Sequence, residues 1–216
     1  MLDQKYADYA WEQAAALLAI DSPSGYTEKA AAWVKDTFAA MGFPATLTTK
    51  GGVLVELGGE DATDGLLLAA HTDTLGAMVA EVKGDGRLRL TPLGGMNANN
   101  AEAENVRVYT REGRILEGTL QLANASLHVN PQYNDTKRDW NTTEVVLDET
   151  EDPKKLGIQV GDIVCFDPRT RRTDSGYLKS RFLDDKLSVG ILIGFAKYLA
   201  DNKITLEENL CPCDGL

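Results

Sequence analysis

Leu66-Leu67-Leu68-Ala69-Ala70-His71-Thr72-Asp73-Thr74-Leu75-Gly76 is the stretch whose reading decides the fold. Five apolar residues without alternation, ended by polar and turn-forming residues, predict a buried strand of an α/β sheet. Its polar end, with His71 and Asp73, falls where open α/β sheets place their chemistry.

Upstream of the strand, Tyr6, Ala10, Ala14, Leu17 and Leu18 recur at helical spacing over residues 4–20, and Asp21-Ser22-Pro23-Ser24-Gly25 stops that helix. A second helix is expected over 27–41, with Ala30, Val34, Phe38 and Met41 on one stripe and Gly42 just past its end. Residues 45–49 and 53–57 are β-rich and flank Lys50-Gly51-Gly52, which predicts a hairpin.

Downstream of Gly76 the texture changes. Short β-rich segments at 78–82, 87–91, 105–109, 114–116, 119–122 and 163–166 alternate with turn residues, so residues 77–176 read as a small all-β domain inserted into an α/β one made of 1–76 and 177–216. The α/β texture returns near Leu178, and Leu187, Ile191, Phe195 and Leu199 predict a helix over 185–202, buried on much of its surface.

Composition excludes several functions. With 33 acidic and 22 basic residues, the net charge of −11 argues against a nucleic-acid footprint or an anionic membrane surface. No run approaches a membrane span, and Met1-Leu2-Asp3-Gln4-Lys5 lacks a signal pattern, so a cytoplasmic location is expected. Cys165, Cys211 and Cys213 form no disulfide framework, which fits a reducing compartment; Cys165 reads as a small core residue.

Two places carry candidate chemistry. His71 by itself reads more readily as a satisfied structural histidine than as a ligand, but Asp73 is well placed to accept the second ring N–H of a metal-bound imidazole. Asp184-Asp185, at a helix start, read either as dipole-stabilising caps or as a ligand plus a neighbour that holds it.

The motifs His71-Thr72-Asp73-Thr74-Leu75-Gly76, Arg181-Phe182-Leu183-Asp184-Asp185-Lys186, Ser22-Pro23-Ser24-Gly25-Tyr26 and Leu156-Gly157-Ile158-Gln159-Val160-Gly161-Asp162 together resemble the co-catalytic metalloaminopeptidases. The nearest branch is the glutamyl, deblocking and tetrahedral (cellulase-M-like) aminopeptidases, and the resemblance runs from about residue 4 to residue 205. It implies a phosphorylase/hydrolase-like α/β sheet with flanking helices, incomplete here, plus an inserted all-β dimerisation domain. It further implies two divalent metals (zinc, cobalt or manganese), peptide substrates and a homo-oligomer. By the same resemblance His71 ligates one metal, Asp73 orients His71, and Asp184 bridges both metals. The peptide bond from Asp184 to its neighbour Asp185 is typically cis.

That family continues with a Glu-Glu pair, a further carboxylate and a late histidine. Glu207-Glu208 reads as a solvated loop, and the proline in Asn209-Leu210-Cys211-Pro212-Cys213 argues against a strand there. The expectation is therefore a chain resembling the N-terminal part of an aminopeptidase, with little activity, partial metal occupancy and an unprotected sheet edge. The alternative is a non-catalytic assembly module acting through the β-rich insert.

Overall fold

The computed structural model describes residues 3–214. Met1, Leu2, Gly215 and Leu216, the outer ends of the expected α/β segments, lie outside the described residues. The chain divides into two compact units, Met1–Thr74 with Pro168–Leu216, and Leu75–Asp167.

The first unit opens with α1 (Gln4–Leu18), started by Asp3, whose carboxylate accepts the Lys5 N–H at 3.2 Å. Then α2 (Glu28–Ala40) buries Ala30, Ala31, Val34 and Phe38, and the chain leaves it through Gly42 at φ +90°. Strands β1 (Ala45–Leu47) and β2 (Val53–Val55) form the expected hairpin, with Ala45 opposite Val55. Next comes β3 (Asp61–Ala70), which delivers His71.

The second unit is a closed six-stranded barrel of β4 (Gly76–Val82), β5 (Leu88–Leu93), β6 (Asn105–Tyr109), β7 (Ile115–Leu122), β8 (Thr143–Leu147) and β9 (Ile163–Phe166), with a short α3 (Ala98–Ala101) between β5 and β6. Every ladder is antiparallel, and β4 pairing with β9 closes the ring. Val79, Leu90, Val108, Leu120, Val145 and Val164 are all at most 1 % exposed, so alternate residues fill the interior. Cys165, as expected of a small core residue, is buried.

Back in the first unit, β10 (Arg171–Arg172) and β11 (Leu178–Lys179) make a small hairpin, followed by α4 (Leu183–Asn202) and β12 (Glu208–Asp214). The sheet order is β1-β2-β12-β3, with β12 parallel to β3 and antiparallel to β2. Leu17, Val34, Phe38, Val53, Val55, Val189 and Ile193 form its core. Helices α1 and α4 approach closely: a Cβ on Gly190 or Gly194 would lie 2.6 Å from the Ala14 or Ala10 Cβ.

Two expectations are corrected. The run 66–70 is a strand, but among the described residues it lies at the end of the sheet, and Leu66 and Leu67 are 50 % and 59 % exposed rather than buried. Among the described residues it pairs with β12 alone, so there the continuous apolar run meets no second strand. Residues 208–214 do form a strand despite Pro212, which pairs opposite Leu68 just before the ladder to β2 begins at Cys213. Proline is tolerated where a strand has a side without a ladder bond to donate.

Among the described residues no helix is long and apolar enough to cross a membrane.

Candidate active site

The site lies wholly within the first unit, where the end of β3 meets the start of α4. His71 leaves the strand with its ring between two carboxylates: Nδ1 is 3.0 Å from Asp73 Oδ1, and Nε2 is 3.1 Å from Asp184 Oδ1. The Asp73 carbonyl oxygen lies a further 3.1 Å from Nδ1, so both main chain and side chain of Asp73 address the same ring nitrogen. Burial pushes the His71 pKa down, but the charge of Asp73 and the hydrogen bond to Asp184 outweigh it, leaving it above the usual 6.5.

Asp184 is held in place by irregular backbone. The chain enters α4 through Phe182 at φ +66°, and Asp184 and Asp185 depart from helical angles before the regular turns begin. The Asp184–Asp185 peptide bond is cis. Asp184 presents a side chain that is 94 % exposed and turned to His71. Asp185 is half-buried and follows directly along the chain. The structure thus brings His71, Asp73 and Asp184 together across 113 positions of sequence.

Two features near the site went unremarked as chemistry in the sequence. Lys186 is 1 % exposed, and its Nζ donates to the carbonyls of Leu17 at 3.0 Å and Ile20 at 2.6 Å, tying the last turn of α1 to the start of α4. The second is the Ser22-Pro23-Ser24 turn. Ser22 Oγ donates to the Thr72 carbonyl at 2.7 Å, Thr74 N–H to the Ser22 carbonyl at 2.8 Å, and Ser24 N–H to the Thr74 carbonyl at 3.2 Å. Ser24 Oγ also donates to Asp73 Oδ2. Their signal was present in the quoted motifs, but serine and lysine at a turn and a helix start carry no chemistry by type alone.

An imidazole nitrogen and a carboxylate oxygen 3.1 Å apart match two donors on one divalent cation, whose bonds to such atoms run to about 2.0–2.2 Å. The donor chemistry fits a divalent metal, and the pair supplies one edge of its coordination sphere. Among the described residues no group of three or more His, Cys, Asp or Glu could hold a metal ion. Glu207 is exposed, and its carbonyl oxygen accepts the Asp61 N–H at 3.1 Å.

The first unit thus sets His71 and Asp73, just past the end of β3, against Asp184 at the start of α4. Residues 51–211 match the family model described as M42 glutamyl aminopeptidase, and the chain belongs to that family. A Bacillus subtilis protein provisionally named aminopeptidase YhfE is 39 % identical over 181 residues, covering 82 % of this chain and 52 % of its own. The lysyl aminopeptidase of Pyrococcus furiosus is 26 % identical over 140 residues, covering 64 % of this chain and 40 % of its own. This chain spans about half the length of the curated relatives it matches. In fold it matches the aminopeptidase APDkam598 of Desulfurococcus kamchatkensis, with a TM-score of 0.84 at 22 % identity over 98 % of this chain and 56 % of that one. The TET1 peptidase of Pyrococcus horikoshii, described as assembling into a tetrahedron or a large octahedral shell, gives 0.80 at 22 % identity over 96 % and 61 %.

Proposed function

We propose that this chain is part of a metal-dependent aminopeptidase, and that His71 and Asp184 are metal ligands with Asp73 orienting the histidine. The observation that carries this reading is the ring of His71 set between Asp73 and Asp184 at 3.0 and 3.1 Å. Asp73 accepts the Nδ1 proton, which leaves the Nε2 lone pair directed at the space shared with Asp184. The exposure of Asp184 leaves its carboxylate open to a cation and a peptide. A bound divalent cation would polarise the scissile carbonyl and lower the pKa of a water. Zinc, cobalt and manganese all accept this mixture of imidazole and carboxylate.

With two donors among the described residues, the 216-residue chain is expected to turn over aminoacyl-p-nitroanilides at or near background, even with added divalent cation. A protein of the relatives' full length that carries these residues is expected to cleave them only when the cation is supplied. Cleavage by the 216-residue chain that disappears in His71→Ala would contradict the first expectation. Metal-independent cleavage by the longer protein would contradict the reading itself.

A homo-oligomer built through the barrel unit is the second part of the proposal, favoured by Leu127 and Val129, which stand 57 % and 73 % exposed in one barrel loop. Light scattering on a size-exclusion column is expected to show a multimer that Val129→Asp shifts toward monomer. A strictly monomeric wild type would refute it.

A further inference from the structure

We propose that Ser24 is a positioning residue for His71: its hydroxyl holds the Asp73 carboxylate so that Oδ1 takes the Nδ1 proton and Nε2 is left as the lone pair facing Asp184. The purpose of that arrangement rests on the metal reading above, but the hydrogen-bond chain stands without it. An aspartate carboxylate turns about a broad, weakly hindered torsion, so one hydrogen bond to an imidazole does not fix which oxygen it presents. At Asp73 the side chain is 39 % exposed, and water competes for both oxygens. Ser24 Oγ takes Oδ2, which leaves Oδ1 to His71.

The hydroxyl is itself located by a framework of main-chain bonds. Pro23 bridges Thr74 in parallel register, and the backbone bonds on either side run from Ser24 N–H to Thr74 O and from Thr74 N–H to Ser22 O. Ser22, at 0 % exposed, closes the clamp with its own hydroxyl on Thr72 O, and Thr72 and Thr74 are buried at 4 % and 7 %. The segment 22–24 is therefore tied to 72–74 by main-chain bonds, which bring the Ser24 hydroxyl to the carboxylate. Of the two serine hydroxyls, that of Ser22 serves the clamp and that of Ser24 donates to Asp73. The order of action is Ser24 to Asp73 to His71, and Ser24 touches no reacting atom.

The tautomer of His71 reads this directly, because the sequence has only two histidines and their ring nitrogens are separable by isotope-labelled NMR. In the metal-free chain, at a pH where the ring is neutral, wild type and Ser24→Thr are expected to hold the Nδ1–H form. Ser24→Val, which matches threonine in shape and lacks the hydroxyl, is expected to raise the share of the Nε2–H form by about threefold to tenfold, a part of the worth of one charge-assisted hydrogen bond because Ser24 acts on the ring only through Asp73. The comparison of threonine with valine cancels any effect of bulk on the turn, and Ser24→Ala should follow valine. Equal tautomer ratios in the threonine and valine variants would overturn the proposal. If the ratio follows the hydroxyl while the wild-type chain takes up no Zn²⁺, the metal reading fails and the Ser24 role stands. If the chain binds Zn²⁺ and the ratio ignores the hydroxyl, the reverse holds.

Discussion

At the scale of single residues, His71 gathers the site's electrostatics because two carboxylates face its two nitrogens. Its pKa is lowered by burial and raised, by more, by Asp73 and Asp184. A histidine whose folded pKa lies above the unfolded value adds stability that is fully present below about 6.5 and is lost as pH rises through the folded value. The metal-free chain is therefore expected to lose thermal stability slightly as pH is raised from 6 through the region above 6.5. Affinity for a divalent cation should grow over the same range, since the cation must displace the proton. With the side chain 40 % exposed, solvent screening keeps the stability effect small. His71→Ala should flatten both trends; a pH dependence that survives in that variant would assign them elsewhere. Lys186 acts differently. Lys186→Met is expected to lower the unfolding free energy by about 1–3 kcal/mol, because the Ile20 carbonyl loses the Lys186 ammonium and the Leu17 carbonyl keeps only its main-chain donors. Denaturant titration measures it, and a loss under 0.5 kcal/mol would show that the two carbonyls find another partner.

At the scale of elements, what was legible in the sequence and what was not divide by the range of the interactions. Helices α1, α2 and α4 were legible because their apolar spacing and stop signals are local. So was the β1–β2 hairpin, where Lys50-Gly51-Gly52 carries the turn. The segments 105–109 and 163–166 coincide with β6 and β9. By contrast β8, with the run Val145-Val146-Leu147, and β12, with its proline, owe their strands to neighbours distant in sequence. Strand β8 is held by β5 and β7, and β12 by β2 and β3. The separate segments 114–116 and 119–122 merge into one β7, in which Gly118 pairs opposite Leu147 and lies so close to β8 that a Cβ would approach the Val146 carbonyl oxygen to 2.6 Å. His71, Asp73 and Asp184 were legible as residues through their motifs; the Ser24 contact was not, since nothing in a Ser-Pro-Ser-Gly turn announces a carboxylate 49 positions away. The crossing of α1 over α4 gives an element-scale prediction. Gly190→Val is expected to lower stability by about 1–3 kcal/mol, since its side chain would occupy the space of Ala14 and the Ala10 carbonyl. Calorimetry showing an unchanged or higher melting temperature would mean that the helices separate without loss.

At the scale of the whole molecule, net charge and apolar exposure pull in opposite directions. A charge of −11 favours solubility, yet β3 ends the described sheet with Leu66 and Leu67 half or more exposed, and Ile191 on α4 is 55 % exposed. Leu67→Lys is expected to raise the concentration at which the chain remains in solution without changing its circular dichroism; an unchanged limit would place the liability on another surface.

The account's central claim is that His71 and Asp184 hold a divalent cation, and calorimetric titration of the metal-free chain with Zn²⁺ at pH 7.5 tests it most directly. Binding to the wild type is expected to fall more than tenfold in His71→Ala and in Asp184→Asn, and to fall about tenfold or more in Asp73→Asn, which keeps both donors and loses the carboxylate that orients one of them. Equal affinity in all four proteins would contradict it.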